Sequence, residues 1–183
     1  FIKMRMSAMR TSTQQIIQRI GETDQLFLQS NSAELTLERS ELRLQLVTIS
    51  HLRQEQIHFL QEAIVILETA RIELEELSKA MFIHLSLQLA KAYMLYFEIT
   101  RENRFAIITQ QILKPLAQTE DGDIYFFLAY ATASKGETSL TRHWLTKYAK
   151  TTAWDFKLLS EHHAFKDFHA EDWFQSLLKC KLI

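Results

Sequence analysis

The chain has 183 residues, 47% of them hydrophobic, which is enough for one well-packed domain and short for two full ones. Twenty-one basic residues against twenty-two acidic ones leave a net charge of −1, so no whole-chain field recruits nucleic acid or anionic lipid, and nucleic-acid binding is set aside. Apolar runs are a few residues long, far below the ~20 that span a bilayer, so no transmembrane segment is expected; the single cysteine, Cys180, cannot close an internal disulfide, which fits a cytoplasmic setting.

From Glu22 to Lys114 there is neither glycine nor proline, which removes the punctuation a sheet protein needs at its turns and leaves an all-α reading. The first helix is expected over 7–29, with Ile16, Ile20 and Phe27 on one stripe that needs apolar cover. The first 20 residues of the chain carry Lys3, Arg5, Arg10 and Arg19 and no acid, a basic arm that reads as a solvated face or as a contact for an acidic partner or lipid. Ser32 in "SNSAE" is the N-cap of a second helix over 33–52, where Leu42, Leu46 and Ile49 form a stripe facing a core. A third, over 55–78, has Ile57, Leu60, Ile64 and Leu67 on one stripe and Ala63, Ile66, Ala70, Leu74 and Leu77 on another, as expected of a helix with neighbours on two sides. Further helices follow over 80–99 and over 103–118, the latter ended or kinked by Pro115. "TEDGD" caps a sixth helix over 123–135, Gly136 in "SKGET" stops it, a seventh runs over 138–150, and one or two short helices follow from 153.

The pattern repeats. Leu42, Leu44, Gln45 and Leu46 recur forty-three positions on as Leu85, Leu87, Gln88 and Leu89, and "AIV" at Ala63 recurs as "AII" at Ala106. Helix pairs at a fixed period mark an α-solenoid, in which each pair covers the open face of the next. "LQLAKAY" at Leu87–Tyr93 and, more clearly, "IYFFLAYATASKGETSLTRHWLTKYAK" at Ile124–Lys150 resemble a tetratricopeptide repeat. Tyr125 stands at the family's large aromatic, Leu128 and Ala129 at its Leu and small residue, Gly136 at its turn glycine, and Trp144 and Leu145 at the bulky second-helix positions. The small second-helix position is Thr141 here, with Ala63 and Ala106 as its earlier counterparts, and no proline closes the repeat. The tail at Asp155–Leu178 resembles the closing helix of many bacterial repeat proteins, with Phe165, Phe168, Trp173, Phe174, Leu177 and Leu178 as the plug.

The resemblance implies a right-handed α-α solenoid of about three helix pairs over 33–183, with an N-terminal helix (1–32) outside the repeats and a C-terminal capping helix. In that family the first helix of each pair lines a concave groove, which here turns Gln45 and Thr48, then Gln88 and Lys91, then Tyr130 toward a partner. Lys91 lies in the apolar stretch "LQLAKAYMLYF", where a charge either reaches solvent or meets a partner such as a peptide carboxylate.

Competing chemistry is weaker. His162, His163 and His169 with Glu171 and Asp172 invite a metal, but helix-borne ligand pairs sit three or four apart and adjacent histidines diverge by about 100°, so these read as surface histidines around an apolar cap, without a metal or cofactor. There is no Gly-rich phosphate loop, no G-x-S-x-G and no cysteine pair, and Cys180 has only His169 as a base. The aromatics Tyr93, Tyr96, Phe97 and Tyr125 to Phe127 read chiefly as core. The expectation is a non-enzymatic scaffold or adaptor that takes a peptide or helix of another protein, with possible self-association through the N-terminal helix. The alternatives are a structural subunit of a larger assembly and a helical metal protein using the histidine-rich tail.

Overall fold

The stretch without glycine or proline begins in the last turns of α1 (Ile2–Gln29) and runs through α2 (Ala33–Ile49), α3 (Arg53–Glu73), α4 (Lys79–Thr100) and one further helix. A computed structural model describes residues 2–179, with side chains from residue 12 onward; among these the chain is all helical, without a strand. Two compact units are present, one ending at Ile99 and the other beginning at Thr100. The side chains of Lys3, Arg5 and Arg10, and all of Cys180, lie outside the described residues.

In the first unit Ser32 caps α2 as its sequence requires, its Oγ accepting the Leu35 N–H at 3.1 Å. The buried face of α2 is polar in composition: Thr36, Arg39, Ser40 and Arg43 are inside with Leu44, Leu46 and Val47, whereas Leu42 and Ile49 are only half-buried. Across from it α3 buries Leu60, Ala63, Ile64, Leu67 and Ala70. A fully buried leucine such as Leu60 or Leu67 contributes about 1.5–3 kcal/mol. α3 stops at Glu73, five residues before the sequence suggests. Continuing it would place Glu73, Glu75 and Glu76 together at the negative end of the helix dipole. Instead Leu74 turns extended and the Ser78 hydroxyl accepts the Met81 N–H at 3.1 Å to start α4. α4 then meets α3 through Tyr93, whose hydroxyl donates to Glu68, and through Gln61 Nε2, which donates to the Tyr96 oxygen at 3.2 Å.

The second unit holds α5 (Asn103–Leu113), a 3-10 turn (Lys114–Thr119), α6 (Gly122–Ser134), α7 (Thr138–Ala149), α8 (Phe156–Glu161), a second 3-10 turn (His163–Phe168) and α9 (Asp172–Lys179). Pro115 lacks the N–H that an α-helix needs, so the predicted last turn of α5 tightens into the first 3-10 segment. Asp121 caps α6 by accepting the Asp123 and Ile124 N–H groups at 2.9 and 3.2 Å. At the far end Gly136, at φ +74°, closes a Schellman motif: its N–H reaches the Ala133 oxygen at 3.0 Å and that of Glu137 the Thr132 oxygen at 3.0 Å. α6 and α7 pack with the Thr132 and Thr141 hydroxyls 2.9 Å apart, both fully buried. The C-terminal segment buries Phe165, Phe168, Phe174, Leu177 and Leu178, and leaves Trp173 half-buried.

Gly122 is required for a different reason from Gly136. A Cβ built on it would overlap Thr151 Oγ1 and the Ala153 methyl, so the start of α6 lies directly against the turn after α7. Gly122→Ala is therefore expected to cost about 1–3 kcal/mol through overpacking, read as a lowered midpoint in urea. Gly21→Ala, where nothing lies within 4 Å in mid-α1, is the control and should be neutral or stabilising.

Candidate functional site

Arg39 and Arg43 lie one turn apart on α2 and should therefore share a face. Both turn inward to meet α1 and α3. Arg39 Nε donates to Asp24 Oδ1 at 2.9 Å, and Arg43 Nη2 donates to Asp24 Oδ2 at 2.9 Å. Arg43 Nε donates to Glu62 Oε2 at 2.8 Å and its Nη1 to the Arg39 carbonyl at 3.1 Å. The burial is lopsided: the guanidinium side chains are 11% and 6% exposed, against 39% for Asp24 and 38% for Glu62. The positive charges are held inside and their carboxylates reach toward water.

Arg43 is nearly saturated by these bonds, but Arg39 is not. Its guanidinium carbon lies 4.0 Å from the Phe27 ring centroid, a cation–π contact that fixes its plane. Among the described residues its Nη1 and Nη2 have no acceptor. Arg39 lines a cleft of about 390 Å³ together with Arg43, His58, Gln61, Glu62, Val65 and Ile66. His58 Nε2 lies 3.2 Å from Glu62 Oε1, so Glu62 is held from both sides. Val65 and Ile72, one heptad apart on the solvent side of α3, are 62% and 83% exposed, two aliphatic contacts with Glu68 and Thr69 between them on that face.

The residues expected to line a groove are placed as follows. Gln45 and Thr48 are exposed on α2, on the face that carries Glu41. Gln88 Nε2 donates to Glu41 Oε2 at 2.7 Å, and Lys91 Nζ approaches the same oxygen at 3.4 Å, so the charge in the apolar α4 stretch meets a partner within the unit. Tyr130 belongs to the second unit and is buried, its ring edge-on to His162 at 4.5 Å and to His163 at 5.7 Å. The other aromatics of α4 and α6 are mostly core; burial, then the bond to Glu68, pushes the Tyr93 hydroxyl well above the ordinary tyrosine range.

In the tail, His162 and His163 stack at 4.6 Å, and His162 Nδ1 accepts the Ala164 N–H at 3.2 Å. His169 stacks on Phe174 at 5.2 Å. Among the described residues no three His, Cys, Asp or Glu side chains are arranged to hold a metal ion, and no helix is long and apolar enough to cross a membrane. A second depression of about 730 Å³ at the start of α6 sets Glu120, Asp121 and Asp123 against Lys147 and Lys150. Its capping carboxylate, Asp121, is already engaged by the helix it starts.

The Arg39–Arg43 cleft was missed by reasoning on sequence, which singled out neither arginine. The available signal was that Thr36, Arg39, Ser40, Arg43 and Val47 occupy one helical face of α2. The chain matches no protein-family model, no curated protein and no solved structure.

Proposed function

We propose that the protein is a non-enzymatic, cytoplasmic interaction module, built as a right-handed α-α solenoid of about three helix pairs, that binds a helix or peptide of another protein. The burial of the small second-helix positions supports the repeat reading: Ala63 in the first unit, and Ala106 and Thr141 in the second, are all fully buried. One observation carries the binding reading. Two large aliphatic side chains, Val65 and Ile72, stand exposed on one face of α3 beside a cleft with buried guanidinium groups on its wall. Two aliphatic contacts a heptad apart, beside a few fixed polar groups, suit the affinity and register of a partner helix. The α2–α4 face with Gln45, Thr48, Gln88 and Lys91 is the second face offered to a partner.

Affinity capture from native cell extract, with partners identified by mass spectrometry, tests this. Val65→Asp, Ile72→Asp is expected to reduce recovery of the specific partner at least tenfold while helical circular dichroism is unchanged. A Gln45→Ala, Lys91→Glu variant should retain it. The reverse pattern moves the docking surface to the α2–α4 face, and retention by both variants removes the reading. The alternative of a permanently covered structural subunit is favoured by Leu28, Leu52 and Phe156, which also stand exposed. Static light scattering separates the two, since an orphan subunit self-associates and an adaptor stays monodisperse.

A further inference from the structure

We propose, resting on the α3 face as the docking surface, that the cleft beside Arg39 is a carboxylate pocket. It receives the side-chain carboxylate of a Glu or Asp on a partner helix whose aliphatic residues lie along Val65 and Ile72.

The argument begins with the donors. A guanidinium has five N–H groups, and its Nη edge presents a fork that matches the two oxygens of a carboxylate. Arg43 has its Nε and both terminal nitrogens engaged by Glu62, Asp24 and the Arg39 carbonyl. Among the described residues Arg39 has only its Nε engaged. Its fork is therefore the free donor set on the cleft wall, on a side chain that is 11% exposed and set in orientation by Asp24 and Phe27. Preorganisation of this kind removes the ordering cost that weakens surface ion pairs.

Charge selects the ligand class. Asp24 and Glu62 balance Arg39 and Arg43, so the pocket starts neutral. A phosphate near −2 would meet those two carboxylates with one free fork to hold it, whereas a monoanionic carboxylate matches one fork. Geometry selects the carrier. Val65 and Ile72 are seven residues apart, about 10.5 Å along α3, and a helix of two or more turns covers that distance with aliphatic side chains while one acidic side chain reaches the pocket. Asp24 meets Arg39 at Nε while also holding Arg43, and Glu62 is held by Arg43 and His58, so among the described residues neither carboxylate occupies the Arg39 fork.

The test uses the full chain as bait for a random sixteen-residue displayed peptide library. Enriched peptides are expected to share a Glu or Asp at fixed spacing from aliphatic residues. An amidated synthetic peptide of that consensus is then measured by fluorescence anisotropy. Replacing its acidic residue by the amide should weaken binding at least tenfold on the wild type and less than twofold on Arg39→Gln. Arg39→Lys, which keeps the charge and loses the fork, should also lose most of the affinity, with helicity of both variants checked by circular dichroism. Consensus peptides without an acid, or an equal amide penalty on wild type and Arg39→Gln, overturn the pocket while leaving the α3 face standing. Binding that disappears on C-terminal amidation overturns the side-chain assignment. Peptides indifferent to Val65→Asp, Ile72→Asp, or a library with no binder, overturn the α3 face and the pocket together.

Discussion

Phe165→Ala is expected to remove about 3–5 kcal/mol from the second unit, the range for truncating a fully buried aromatic. Phe165 is completely buried and meets Phe126 at 5.7 Å, His162 at 5.4 Å and Phe174 at 6.4 Å between ring centroids, so its loss opens a cavity shared by α6, the tail and α9. Domains of this size are stable by roughly 5–15 kcal/mol, so the variant sits near the edge of folding. The flanking pieces cannot compensate, because α8 and α9 have six and eight residues and isolated helices below about 12 do not persist in water. Thermal unfolding followed by near-ultraviolet circular dichroism should show the loss, and trypsin should gain access to Lys157 and Lys166. Phe156→Ala, at an exposed aromatic, is the comparison and should move the midpoint by a few tenths of a kcal/mol at most. Equal shifts for the two would mean the tail does not stabilise the unit through Phe165.

The second large effect is expected at Asp24. Asp24→Ala removes the one acceptor that the Arg39 guanidinium has among the described residues, and one of the two carboxylates of Arg43. Losing one member of a fully buried pair costs about 3–5 kcal/mol. Asp24 is 39% exposed, so part of that interaction is already screened and about 2–3 kcal/mol is expected. The opposite change is milder. In Arg43→Met neither carboxylate is orphaned, since Asp24 keeps Arg39, Glu62 keeps His58 and both already reach water, and the thioether chain refills the space. The predicted order in urea unfolding is thus Asp24→Ala more destabilising than Arg43→Met. The reverse order would show that the arginine acts through packing of its stem more than through its buried charge.

Much of the helix plan is legible in the sequence because its determinants are local. The absence of glycine and proline between Glu22 and Lys114, the cap at Ser32 and the stop at Gly136 each act over a few residues, and the structure places helix ends accordingly. The exceptions also have local causes: carboxylates at Glu73, Glu75 and Glu76 oppose a helix end, and Pro115 breaks one. The site is not legible in this way. Asp24, Arg39, Arg43 and Glu62 come from three helices, and nothing in the spacing of any one of them says that the charges pair indoors. The stripe of Leu42, Leu46 and Ile49 drew attention to a neighbouring face, of which only Leu46 is fully buried. Lys91 illustrates the same limit: the sequence posed the choice between solvent and a partner, and the side chain does both, half-exposed and 3.4 Å from Glu41 on another helix.

The hydroxyls of Thr132 and Thr141 carry a consequence for how the second unit tolerates change. Each lies within reach of a carbonyl in its own helix, Ala129 at 3.0 Å and Glu137 at 2.9 Å, as well as of the other hydroxyl at 2.9 Å. A hydroxyl has one hydrogen to give, so the two must alternate: either Thr132 donates across to Thr141, which donates to Glu137, or Thr141 donates across to Thr132, which donates to Ala129. The two chains are mirror arrangements of the same bonds, and the hydrogens can flip between them in concert without moving a heavy atom. This degeneracy leaves residual disorder in an otherwise fixed seam. It also gives redundancy, because a valine at either position leaves the remaining hydroxyl with its own carbonyl and strands no donor.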